Sequence, residues 1–107
     1  MDEHFTPVTD TESLDALFAS SAQHPVILFK HDPYCPISAR AYKEMTQVAD
    51  DVAIIDVEHN KEIASAITKR TGVQHESPQV IVVKDGQSVW SASQFNIKAS
   101  AVSQAAQ

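Results

Sequence analysis

The sequence predicts an α/β fold: a central mixed β-sheet between helices, with elements in the order βαβαβαββα. Three observations predict it. First, Val26-Ile27-Leu28-Phe29 and the stretch from Val52 to Val57 are continuous apolar runs of strand length, the pattern of strands covered on both faces. Second, the segments between such runs repeat apolar residues at helical spacing. Third, Asp85-Gly86 separates two strand-like stretches, Gln79 to Lys84 and Ser88 to Ser93, and that dipeptide is a strong hairpin signal.

Each element has its own local reason. Phe5-Thr6-Pro7-Val8 is expected as a first edge strand, with the missing N–H of Pro7 counting against it. Thr9-Asp10-Thr11-Glu12 reads as a capping box, and Leu14, Leu17 and Phe18 form the stripe of the helix it opens. After the Val26 run, Ile37, Ala41, Met45 and Val48 recur at helical spacing, with Pro36 at the first helical position and Asp50-Asp51 as the stop. Asn60 is placed to cap a third helix with inner residues Ile63, Ala64 and Ile67. Arg70 in its last turn and Gly72 beyond end it. Ile97 to Gln107 is expected as a short, Ala-rich terminal helix.

At 107 residues the chain is expected to be one domain, residues 1–107, large enough to bury a core without a metal or disulfide staple. With 8 basic against 14 acidic residues, the net charge of −6 argues against a general nucleic-acid binder, because phosphate contacts need clustered Lys and Arg. No apolar run approaches the roughly 18 residues of a membrane span. The N-terminal MDEHFTPVTD is acidic and lacks the basic-then-apolar layout of a secretory signal. A single cysteine permits no internal disulfide, which suits a reducing cytoplasm. That Cys and five dispersed His lack the ligand spacing of structural zinc.

The cysteine is the informative residue. In His31-Asp32-Pro33-Tyr34-Cys35-Pro36-Ile37-Ser38 it stands between two prolines, after a strand and at a helix start. A thiol near an N-cap meets unpaired backbone N–H groups and the positive end of the helix dipole, both of which favour an anion. Drawing a thiol from a pKa of about 8.5 to about 7 takes roughly 2 kcal/mol. The dipole supplies roughly 0.3–1 kcal/mol and a hydrogen bond to a charged group roughly 1.5–3 more. Cys35 is therefore expected as a nucleophile, with the helix start Pro36-Ile37-Ser38 stabilising its thiolate and the Ser38 hydroxyl donating to the sulfur. Asp32 opposes ionisation, but as an exposed, screened charge it loses to the helix end. Ser38 stands where a dithiol protein keeps its second cysteine and cannot resolve a mixed disulfide, so another molecule must do so. The bland alternative is an inert small hydrophobe.

These residues also carry a resemblance. A strand, a Cys-x-x-Ser at a helix start and a Ser-Pro leading into a hairpin look like the thioredoxin fold with a monothiol site. More narrowly, Phe29-Lys30-His31, Cys35-Pro36-Ile37-Ser38, the run from Thr71 to Val80 (TGVQHESPQV) and Val89-Trp90-Ser91-Ala92-Ser93 resemble the monothiol bacilliredoxin family, the YtxJ or BrxC type, over nearly the whole chain. The resemblance implies a cytoplasmic thiol-disulfide oxidoreductase with no tightly bound cofactor. It would take bacillithiol, as co-substrate, from mixed disulfides on S-bacillithiolated client proteins onto Cys35. A further low-molecular-weight thiol or a recycling reductase would then release it. Ser77-Pro78 maps onto the family's cis-proline loop, whose backbone pairs with a docked substrate chain. Two stretches depart from the family pattern: Asp32-Pro33-Tyr34, where small hydroxyl residues are usual, and Gln94-Phe95-Asn96, where His and another aromatic are.

Lys30, Tyr34, Ser77 and Pro78 are the expected substrate-binding residues. Lys30 is the candidate cation for the malyl carboxylates of bacillithiol or for the thiolate, and Tyr34 the candidate groove aromatic. Arg40 reads as a solvated helix charge and Trp90 as a packed sheet residue. His31 and His75 either flank the thiol or hydrogen-bond loops. Three rival readings stand beside this one. A glutaredoxin-like monothiol protein carrying an iron–sulfur cluster lacks support, since Cys-Gly-Phe-Ser and the paired-glycine turn are absent and the chain has 2 glycines, Gly72 and Gly86. A peroxidase would need an Arg framing the sulfur, and Arg40 lies on another side of the helix. The third is a non-enzymatic thioredoxin-fold adaptor with an idle thiol.

Overall fold

The computed structural model describes residues 4–107; Met1 to Glu3, part of the acidic N-terminus, lie outside the described residues. The elements are β1 (Phe5–Pro7), α1 (Thr11–Ser20), β2 (Val26–His31), α2 (Pro36–Met45), β3 (Val52–Asp56), α3 (Lys61–Thr71), β4 (Gln79–Lys84), β5 (Gln87–Ser93), a 3₁₀ turn (Gln94–Asn96) and α4 (Ala99–Ala105). This is the thioredoxin fold expected from the sequence. The five strands lie in the order β1-β3-β2-β4-β5. β1, β3 and β2 are parallel, and β4 and β5 run antiparallel to their neighbours.

Helices cover both faces, which is why the inner strands are mostly apolar. On one face Leu14 and Phe18 of α1 and Ile63 and Ile67 of α3 pack on Leu28, Ile55 and Ile81. On the other, Ala41 and Met45 of α2 and Val102 of α4 pack on Ile27, Phe29, Ile54 and Val80. Successive strand residues alternate between the two cores, as the strand period of two requires. Pro7 sits on the exposed side of edge strand β1. Asp85 and Gly86, with φ of 51° and 75°, form the tight hairpin, where both central residues need positive φ.

Several boundaries differ from the sequence reading. The cap of α1 is Asp10 rather than Thr9, because the Asp10 carboxylate accepts the Ser13 N–H at 2.7 Å. Asn60 occupies the N-cap of α3 without capping it; its side-chain amide donates back to the Asp56 carbonyl at 3.1 Å. α2 stops at Met45, so Val48 and Asp50-Asp51 lie in the connection to β3, where Val48 still joins the core. α4 starts at Ala99 rather than Ile97, with the Ala99 N–H accepted by the Glu44 carboxylate at 2.9 Å.

Candidate functional site

β2 delivers the chain to the site at His31, and the next residues fold back on themselves. The Asp32 carboxylate accepts the Tyr34 N–H at 2.9 Å, and its carbonyl accepts the Cys35 N–H at 3.2 Å. This tight loop, stiffened by Pro33, ends at Cys35. Cys35 is the N-cap residue of α2, with extended backbone (φ −109°, ψ 124°) and Pro36 following at the first turn. Its carbonyl accepts the Ala39 N–H at 3.0 Å, the first bond of the helix. Its thiol is free and half-buried, and makes no capping hydrogen bond. Pro36 has no N–H to offer. The amides of Ile37 and Ser38 have no protein acceptor among the described residues, and they are the orphan donors of the first turn.

Ser77-Pro78 comes to the same end of the sheet. β4 begins one residue later, and Gln79 pairs with Lys30 of β2, which sets Pro78 opposite His31. The Ser77–Pro78 peptide bond is cis. Pro78 is buried and its carbonyl accepts the Gln94 N–H at 3.0 Å; Ser77 is half-buried. The fold thus assembles a free thiol at a helix start with a cis-proline loop contributed from 43 residues further along the chain.

Residues 6–102 match the sequence model of the family Monothiol bacilliredoxin BrxC. The chain belongs to the monothiol bacilliredoxin BrxC family. Solved structures agree on the fold. A solved structure, "A putative oxidoreductase with a thioredoxin fold", is 26% identical, with a TM-score of 0.87 over 96% of this chain and 94% of its own. Thioredoxin from Fasciola hepatica is 17% identical at a TM-score of 0.75, covering 94% and 98%. A thioredoxin from Halobacterium salinarum is 22% identical at 0.69, covering 95% and 87%. The bacilliredoxin is therefore a thioredoxin-fold redox protein whose one cysteine is free and stands at the start of α2.

Two site expectations are corrected by the geometry. The Ser38 hydroxyl does not donate to the sulfur. Ser38 is fully buried, and its Oγ accepts the Asp32 N–H at 2.9 Å and is hydrogen-bonded to His31 Nδ1 at 2.6 Å. It ties the loop before Cys35 to the end of β2. Lys30 does not reach solvent. It is 0% exposed, because β2 is an interior strand and residue 30 points into the face covered by α1 and α3. Its ammonium donates to Gln79 Oε1 at 2.9 Å, and the Gln79 side-chain amide donates on to the Gln74 carbonyl at 3.0 Å. Burial pulls the Lys30 pKa down to about 8, partly offset by Glu76. The lysine therefore links the end of β2 to the loop before Pro78.

The other candidates separate as follows. His31 is half-buried, stacked near Phe29 and Tyr42 with ring centroids 5.4 and 5.2 Å away. Burial pushes its pKa below the usual histidine value, against the pull of Asp56 and Asp32. His75 is exposed and lines a cavity of about 410 Å³ beside Ser77, together with Val57, Lys61 and Thr68. Its pKa is also lowered, by burial first and Lys30 second. Arg40 lies over the Phe95 ring at 5.5 Å rather than over the sulfur. Trp90 packs against the α2–α4 core. Among the described residues no three His, Cys, Asp or Glu side chains are grouped as a metal site.

Tyr34 is 71% exposed and yet held. Its hydroxyl lies 3.3 Å from His59 Nε2, and the two rings meet edge-on at 5.9 Å. His59 Nδ1 in turn is 2.8 Å from the Asp56 carboxylate. The sequence reading missed both partners. The one available signal was Asp56-x-x-His59 at the end of a buried strand, a spacing that lets the two side chains meet across a single turn.

Proposed function

We propose that Cys35 removes bacillithiol from mixed disulfides on oxidised proteins by a monothiol mechanism in the cytoplasm. The observation that supports this reading is a free thiol at the start of α2, beside two amides without acceptors, with a fully buried serine at the fourth position of the motif. The Cys35 thiolate attacks the bacillithiol sulfur of the client disulfide. The old S–S bond breaks, the client cysteine leaves as a thiolate and takes a proton from water, and Cys35 keeps bacillithiol as a new mixed disulfide. The amides of Ile37 and Ser38, in the first turn of the 10-residue α2 that Cys35 opens, are donors left without a protein acceptor beside the attacking residue. Ser38 carries no sulfur and so offers no internal route to release, and a second thiol or a reductase restores Cys35. Ser77 presents backbone groups to the client chain, with Pro78 fixing the loop.

The test follows intact mass. A protein carrying bacillithiol on one cysteine is mixed with the reduced bacilliredoxin. Bacillithiol is expected to leave the client and appear on Cys35, and Cys35→Ser is expected to abolish the transfer. Wild-type protein that leaves the client modified would overturn the proposal.

A further inference from the structure

Among the described residues three large apolar side chains stand exposed: Tyr34 at 71%, Phe95 at 56% and Val89 at 53%. Two of them flank the thiol and its proline loop. Tyr34 directly precedes Cys35. Phe95 belongs to the 3₁₀ turn, which is fastened to the site by the hydrogen bond from the Gln94 N–H to the Pro78 carbonyl at 3.0 Å. Each ring is braced by a polar partner, Phe95 by the Arg40 guanidinium at 5.5 Å and Tyr34 by His59 and Asp56. An exposed aromatic normally samples several rotamers, and bracing removes that freedom before anything binds. A prepositioned ring is a low-entropy contact, and aromatics held this way dominate binding energy at protein interfaces.

What the rings would meet follows from Ser77, which precedes Pro78 in the loop to which the 3₁₀ turn is fastened. The Ser77 N–H and C=O have no protein partner among the described residues. An unpaired donor and acceptor on one residue match the edge of another extended backbone, not a small thiol. We propose that Tyr34 and Phe95 are contact residues for an extended, apolar polypeptide segment carrying the oxidised cysteine, and that His59 with Asp56 positions Tyr34. The inference rests on the reading that Cys35 acts on disulfides borne by proteins. It adds how the site distinguishes a protein-borne disulfide from a free small one.

The experiment uses two carriers with one leaving group. A hexapeptide with a single cysteine between leucines, and cysteamine, are each prepared as mixed disulfides with thionitrobenzoate. The Cys35 thiolate attacks the carrier sulfur, a Cys35–carrier disulfide forms, and the thionitrobenzoate anion leaves and is read by its absorbance. Tyr34→Ala and Phe95→Ala are each expected to slow the peptide reaction by about 5-fold, the loss typical of a contact residue worth about 1 kcal/mol. The cysteamine reaction should stay within about 2-fold, since that carrier has no backbone or side chains to dock. His59→Ala should show part of the Tyr34→Ala loss and add nothing in the Tyr34→Ala background, a non-additivity expected only if the two act as a unit. Equal slowing of both carriers, or no slowing of the peptide, overturns the contact role. Additive His59 and Tyr34 losses overturn the positioning role. Neither carrier holds bacillithiol, so failure of bacillithiol transfer would sink the earlier proposal and leave this measurement intact.

Discussion

Ser21 and Ser38 are both buried, and they sit beyond opposite ends of β2. Ser21 follows α1 and gathers the hairpin: its Oγ donates to the Phe18 carbonyl at 2.5 Å and accepts the Gly86 N–H at 2.8 Å, while its carbonyl accepts the Asp85 N–H at 2.9 Å. Ser38 gathers the active-site loop in the same manner, through the Asp32 N–H and His31 Nδ1. The chemistry of the two hydroxyls is alike. What differs is what they leave over. Around Ser21 every hydrogen-bonding partner is backbone. Around Ser38 the network contains a titratable imidazole, and beside it stand a free thiol and two amides without acceptors. One end of the sheet is closed by its serine; the other is held open by it in a form that can react.

Removing each hydroxyl breaks the comparison most directly. Ser38→Ala and Ser21→Ala each leave buried groups unpaired, and each should lower unfolding free energy by about 1–3 kcal/mol in denaturant titrations. Only Ser38→Ala should also slow disulfide exchange, by about 5- to 10-fold, corresponding to about 1–1.4 kcal/mol of lost positioning. Equal slowing by Ser21→Ala would show that exchange tracks global stability and not the local loop.

Lys30 sharpens the contrast through pH. Its folded pKa of about 8 lies below the ordinary 10.5, so between those values the unfolded chain binds more protons than the folded one. Its contribution to stability therefore rises as pH goes from about 8 towards 10.5 and is at its most unfavourable at neutral pH and below, by up to the order of 3 kcal/mol. Against Lys30→Met, wild-type protein should gain relative stability from pH 7 to 10 in thermal melts. A constant difference across that range would mean that the ammonium is not held dry.

His31 should give the smallest effect. Its pKa is lowered from 6.5 by burial, so acid favours the unfolded chain once pH drops below that value. His31→Gln, which keeps a hydrogen-bonding side chain next to Ser38 but cannot titrate, should flatten this acid limb in melts from pH 7 to 5. An unchanged limb would place the acid sensitivity elsewhere.

Much of this architecture was legible in the residues. Apolar runs covered on both faces marked β2 and β3, Asp85-Gly86 marked the hairpin, and Cys35-Pro36 marked the start of α2. The misreadings share one cause. Thr9, Asn60 and Ser38 are small polar residues with several backbone partners within reach, and local sequence does not say which partner is taken. Lys30 was misread because a lysine at a strand end ordinarily snorkels to water; here the strand is central and its neighbour Gln79 supplies an acceptor from the other half of the chain.

By itself, the sequence determined the order of strands and helices, the solitary thiol at a helix start and the lack of an internal resolving partner, because these depend on periodicity, capping chemistry and residue identity along a few neighbouring positions. Only the tertiary structure decided that Lys30 is buried, that Ser38 serves the loop and not the sulfur, and that His59 and Asp56 hold Tyr34. Those outcomes depend on which face of a strand is covered and which distant hydroxyl, amide or imidazole comes within hydrogen-bonding distance, and pairing across the sheet sets both.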